Sequence, residues 1–104
     1  MSDNLTVTVT DNPAESRFEA RLPDGTLTGQ AVYERDGRTV VFTHTEVLPE
    51  YEGKGIASRL AQEALGLVRG GDDRIVPLCP FIRRYVKKHS PEYDDLLLDV
   101  PPAS

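Results

Sequence analysis

A chain of 104 residues, 38% hydrophobic and 28% charged, has the composition of one soluble globular unit. Seventeen acidic residues against twelve basic ones, a net charge of −5, argue against a general nucleic-acid binder, which needs a basic surface. Its apolar runs stay far short of the roughly twenty residues that span a bilayer, and a single cysteine rules out an intramolecular disulfide and argues against a metal cluster.

Leu5, Val7 and Val9 alternate with Thr6, Thr8 and Thr10, the period of a half-buried strand, which Asp11-Asn12-Pro13 ends. Phe18, Ala20 and Leu22 alternate with Glu19 and Arg21 in a second strand that stops at the turn Pro23-Asp24-Gly25. A third strand is predicted over 26–35, with Leu27, Ala31 and Tyr33 on one face and Gln30 and Glu34 on the other. Asp36-Gly37 supplies a hairpin turn into a fourth strand over 38–48, the most hydrophobic of the set. Tight turns between successive strands predict an antiparallel meander.

Past Leu48-Pro49 the period changes from two to 3.6. Ile56, Leu60, Ala64 and Leu67 fall on one helical face and Arg59, Gln62 and Glu63 on the opposite one, and Gly70-Gly71 ends the helix. Residues 74–78 form a short fifth strand, and strand–helix–strand order implies a right-handed crossover and a parallel pair. Pro80 suits the first turn of a second helix carrying Phe81, Ile82, Tyr85 and Val86 inward, which Pro91 limits. The leucines at 96–98 are expected to cover an apolar face, and residues 1–4 and 99–104 to fray. With no repeat or linker, 1–104 reads as a single α+β domain: antiparallel meander, helix, parallel strand, C-terminal helix.

The junction between the fourth strand and the first helix carries the chemistry. A glycine-bearing turn at a helix start leaves backbone N–H groups unpaired at the positive end of the helix dipole, which favours an anion. The spacing does not fit the ATP-binding loop, and Ser58 stands where the dinucleotide fingerprint needs its last glycine. Glu50-Tyr51-Glu52-Gly53-Lys54-Gly55-Ile56-Ala57, after the strand Thr43-His44-Thr45-Glu46-Val47, instead resembles the coenzyme-A pyrophosphate loop of the GNAT acetyltransferases, [Q/R]-x-x-G-x-[G/A]. With Pro77-Leu78-Cys79-Pro80-Phe81 further on, the resemblance is to small stand-alone GNAT-type proteins and covers roughly residues 18–93. Two departures stand out. Glu50 occupies the Gln/Arg position, and the region that holds two helices in larger members is reduced to residues 11–16.

This resemblance implies acetyl-coenzyme A as acyl donor and an amine as acceptor. It implies that amides of Glu52, Gly53, Lys54, Gly55, Ile56 and Ala57 hold the pyrophosphate, with Lys54 or Arg59 adding charge, and that backbone around Glu46, Val47 and Leu48 pairs with pantetheine. His44 and Glu46, two apart in a strand, share a face and are either proton acceptors for the attacking amine or solvated surface groups. Cys79 is either a nucleophile at a helix start or a small buried residue beside the cofactor sulfur. Counted from Cys79, the family's general-acid tyrosine position falls on Val86, so Tyr85 reads first as packing against core or cofactor and second as the acid that protonates the departing thiolate. Arg83, Arg84, Lys87, Lys88 and His89 form either a solvated helix face or a rim that attracts cofactor phosphates.

Two functions are therefore expected. One is an acyltransferase moving acetyl to an amine by direct attack in a ternary complex; the other is a coenzyme-A-binding module with little catalysis that acts through a protein partner. A monomer or weak dimer is expected, without nucleic-acid or membrane partners. The opening MSDNLTVTVT has neither the basic start nor the apolar core of a signal peptide, so a cytoplasmic location is expected.

Overall fold

Four successive segments build a meander: β1 (Thr8–Asn12), β2 (Arg17–Arg21), β3 (Leu27–Asp36) and β4 (Thr39–Val47). Asp11 and Asn12, expected to end the first strand, belong to β1 because they pair with Phe18 and Arg17. A 3-10 turn at Pro49–Tyr51 leads to α1 (Ile56–Gly70), then β5 (Arg74–Pro77), α2 (Pro80–Lys88) and a 3-10 turn at Asp94–Leu96. The computed structural model describes residues 6–97. Leu5, Leu98 and the two tails expected to fray lie outside the described residues. The sheet runs β1-β2-β3-β4-β5, antiparallel from β1 to β4 and parallel between β4 and β5. This is the expected α+β order.

One face of the sheet carries the core. Phe18, Ala31, Tyr33, Val40 and Phe42 are buried there with Ile56, Leu60, Ala61, Ala64, Leu65 and Val68 of α1. Leu67, expected on this face, is 46% exposed, because the buried arc centres on Leu60, Ala64 and Val68 and Leu67 falls at its edge. Ile82 and Val86 of α2 enter the same core, while Phe81 and Tyr85, also expected inward, are half-buried beside it. Truncating a fully buried ring such as Phe42 to alanine would cost about 3–5 kcal/mol.

A break in register within β4 positions the site. Tyr33 pairs with Phe42 but Val32 pairs with His44, so Thr43 is an extra residue, a β-bulge. The bulge reverses which side chains face the core. Before it Val40 and Phe42 point inward; after it Thr45 and Val47, opposite Ala31 and Gly29, take that face. A Cβ built on Gly29 would meet Val47 Cγ2 at 3.3 Å and Ile56 Cγ2 at 3.5 Å, which puts Val47 on the α1 side. His44 and Glu46 therefore project from the opposite, open face.

Candidate functional site

Strands β4 and β5 pair only as far as Phe42 with Pro77. There the Cys79 N–H closes the ladder on the Phe42 carbonyl at 2.8 Å, and β4 runs on to Val47 without β5 beside it. A cavity of about 290 Å³ opens where the strands part, lined by Thr45, Val47, Tyr51, Phe81 and the turn Glu52 to Ser58 except Lys54. Beside it lies a groove of about 900 Å³ between the start of α1 and the outer side of α2, and Gly55, Ile56, Ser58 and Phe81 line both.

The turn is built to present backbone. Gly53 and Gly55 have φ of 80° and 79°, the left-handed region that glycine enters without steric cost. A Cβ on Gly53 would meet no atom within 4 Å, so the space in front of the turn is open. The first helical bond of α1 is donated by Arg59 N–H to Gly55 O, at 3.1 Å. The N–H groups of Ile56, Ala57 and Ser58 thus precede the first helical hydrogen bond, and no side chain caps this end. Amides free at the positive end of a fifteen-residue helix favour an anion in that space.

Charge and aromatic surface follow along the groove. Lys54, Arg59, Arg84, Lys87 and Lys88 line it, in a chain whose net charge is −5. Only Arg59 among them is engaged with an acid, Glu63 at 3.1 Å, among the described residues. Phe81, Tyr85 and His89 form a stripe along α2, with ring centroids 6.4 and 4.2 Å apart. Tyr85 also meets Tyr93 at 5.8 Å; burial, with the Tyr85 hydroxyl close by, pushes the Tyr93 hydroxyl up to about 12. Such a wall offers flat apolar surface flanked by cations.

Most of the residues singled out in the sequence come together here. Lys54, Gly55, Ile56, Arg59 and Tyr85 line the groove, and Val47, Glu52, Gly53 and Ala57 line the cavity. Leu48 lines neither; its N–H donates to Thr28 O at 2.9 Å. Glu50 is exposed and lines neither, so its carboxylate stands off the anion-favouring space. Arg83, counted in the basic segment, leaves that group: its guanidinium donates to the Pro77 and Leu78 carbonyls at 3.3 and 3.1 Å.

Cys79 is 2% exposed, and its thiol donates to the Thr45 hydroxyl at 3.2 Å across the parting strands. Thr45 was not among the expected site residues. Only the bulge brings it to the cavity, and no sequence signal marks a bulge at Thr43. His44 and Glu46 share the open face, with Nε2 3.5 Å from Oε1 and side chains 63% and 51% exposed. Ser58 and Gln62 of the groove wall and Phe81 at both cavities also went unmarked as site residues.

Among the described residues no cluster of potential metal ligands occurs, and no helix is long and apolar enough to cross a membrane.

An antiparallel meander, parting parallel strands and an anion-ready turn between β4 and α1 define a GNAT-like α+β fold. Residues 17–96 match the sequence profile of the GCN5-related N-acetyl-transferases, and the chain belongs to that family. It is 37% identical over 79 residues to Protein NATD1 of Mus musculus, covering 74% of this chain and 72% of that one. Protein NATD1 of Xenopus tropicalis is 32% identical over 95 residues, covering 89% and 87% respectively. The solution structure of a GCN5-like protein from Staphylococcus aureus superposes with a TM-score of 0.65 at 21% identity, covering 96% of this chain and 94% of that one.

Proposed function

We propose that the protein transfers acetyl from acetyl-coenzyme A to an amine by direct attack in a ternary complex. The observation that carries this reading is the free amides of Ile56 to Ser58, opening onto a cation-lined groove in an acidic chain. That combination suits an extended phosphorylated donor. When bound, acetyl-coenzyme A supplies a thioester carbonyl: the amine nitrogen bonds to its carbon, the carbon–sulfur bond breaks, and the sulfur leaves as a thiolate.

The residues of the chain then divide the work. Amides of Gly53, Lys54, Gly55, Ile56 and Ala57, with Glu52 at the turn, take the pyrophosphate, and Lys54 and Arg59 add positive charge. Phe81 and Tyr85 supply flat surface for the nucleotide end. Backbone at Val47 accompanies the pantetheine arm, with Cys79 and Thr45 beside the sulfur; the Leu48 N–H and carbonyl are already paired with Thr28 and Tyr51. His44 and Glu46, on the open face, take the proton that the amine loses, directly or through water. Cys79 stays non-covalent in this reading, because its hydrogen goes to Thr45 and Arg83 is turned to the strand end.

Thiol release from acetyl-coenzyme A over a panel of amines tests the assignment. Turnover that needs an amine supports it. A second reading, a coenzyme-A-binding module that works through a partner, is favoured by the short link between β1 and β2. Residues 13–16 leave little to enclose an acceptor beside the open face. Tight coenzyme-A binding without turnover on any amine would select this second reading.

A further inference from the structure

On the open face of the sheet, polar side chains from three strands form a row in register: Glu19 of β2 stands opposite Gln30 of β3, and Gln30 opposite Glu46 of β4. Its inner end is fixed. Glu19 is 4% exposed, and its oxygens accept from Asn12 at 3.0 Å, Arg17 at 2.7 Å and Arg21 at 3.0 Å. Arg17 also donates Nη1 to Gln30 Oε1 at 2.7 Å. Arginine has no acceptor, so the Gln30 oxygen must face it, and the amide nitrogen is left for the other side. That nitrogen reaches Glu46 Oε1 at 3.4 Å, the same oxygen that lies 3.5 Å from His44 Nε2.

We propose that Gln30 is a positioning residue for acetyl transfer: held by Arg17 on the buried Glu19 anchor, it orients the Glu46 carboxylate against His44. The inference rests on the assignment of His44 and Glu46 as the proton-accepting pair. Glu19 is already satisfied by Asn12, Arg17 and Arg21, so the packing of the sheet does not require the further step from Gln30 to Glu46. A half-exposed glutamate samples many rotamers, and a donor of fixed direction narrows them toward the imidazole. The last two contacts are long and solvated, so the effect is modest.

The test uses the full chain with acetyl-coenzyme A and an amine acceptor. Gln30→Glu keeps the acceptor for Arg17 but cannot donate to Glu46; Gln30→Leu removes both ends. Each should lower kcat about three- to tenfold, an effect on the scale of one modest hydrogen bond, with KM for acetyl-coenzyme A and thermal stability near parent. In a Glu46→Gln background, Gln30→Leu should cost nothing further, since residues acting through one another are not additive. A readout independent of turnover is the His44 ring resonance, identified by its loss in His44→Ala. Gln30→Leu should shift it in the direction that Glu46→Gln does.

Parent-like kcat in both Gln30 variants beside an impaired His44→Ala overturns the inference and leaves the proton-accepting pair standing. Parent-like turnover in both His44→Ala and Glu46→Gln overturns that pair and the inference with it. An unmoved His44 resonance in Gln30→Leu, or additive losses in the double variant, would reduce the row to sheet packing.

Discussion

The Cys79 thiol donates to the Thr45 hydroxyl at 3.2 Å, at the point where β4 and β5 have stopped pairing. A thiol committed to a neutral hydroxyl, buried and without an imidazole or carboxylate among its hydrogen-bond partners, is poorly placed for nucleophilic attack. A covalent route requires an acetyl-cysteine and ping-pong kinetics; direct attack requires neither. Cys79→Ala should bind coenzyme A close to parent and keep measurable transfer, lowered by lost packing. Intact-mass spectra after incubation with acetyl-coenzyme A check this. A stoichiometric adduct on the parent, formed fast enough for turnover and absent from Cys79→Ala, would reverse the assignment of mechanism.

Backbone approach at the glycine turn carries the second prediction. Gly55→Val puts a branched side chain at a residue with φ of 79° and at the lining of both cavities. Coenzyme-A affinity should fall at least tenfold, about 1.4 kcal/mol or more. Calorimetric titration measures it, with circular dichroism to establish that the chain remains folded. Unchanged affinity in a folded variant removes the turn from the binding site.

Much of this site was legible in the residues. Alternation in β2 to β4, the turns between them and the change of period after Pro49 are local signals, and the sheet order follows from them. Asp11 and Asn12, which read as the end of the first strand, instead continue β1 through pairing with Phe18 and Arg17. The turn Gly53-Lys54-Gly55 was legible because its chemistry is backbone chemistry, which glycine announces. What escaped were effects of packing. The bulge at Thr43 exchanges the faces of β4, placing Thr45 rather than His44 in the cavity, and one extra residue in a pair leaves no mark on composition. Leu67 and Tyr85 sit at the edges of apolar arcs, where neighbouring elements decide burial. Arg83 leaves its basic neighbours because two strand-end carbonyls lie within its reach.

Glu19 makes stability depend on acid. Burial alone would push its carboxyl up, but hydrogen bonds from Asn12, Arg17 and Arg21 outweigh this and hold it at about 2, below its ordinary 4.5. A folded value below the unfolded one means the contribution is complete above the unfolded value and fades as pH falls through the folded one. Glu19→Gln should therefore destabilise the chain at neutral pH, by roughly 1–3 kcal/mol for lost charge-assisted hydrogen bonds. Its gap from parent should narrow between pH 4.5 and about 2. Urea unfolding at several pH values measures this, and a gap constant across the window would show that Glu19 does not carry the dependence.

His44 carries the final prediction, because its exposure separates binding from chemistry. It lines neither cavity and stands on the opposite face of β4 from Thr45 and Val47. His44→Ala should accordingly leave acetyl-coenzyme-A affinity near parent while turnover falls by about 10²–10⁴, the usual range for a lost general base. Raising the pH should restore part of the loss, since more of the amine acceptor is then neutral before it attacks. Steady-state kinetics against pH, paired with binding titrations, separate the two effects. A variant that loses affinity as well would tie His44 to the donor site. One that turns over like the parent at neutral pH would move the role to Glu46, with Glu46→Gln as the deciding measurement.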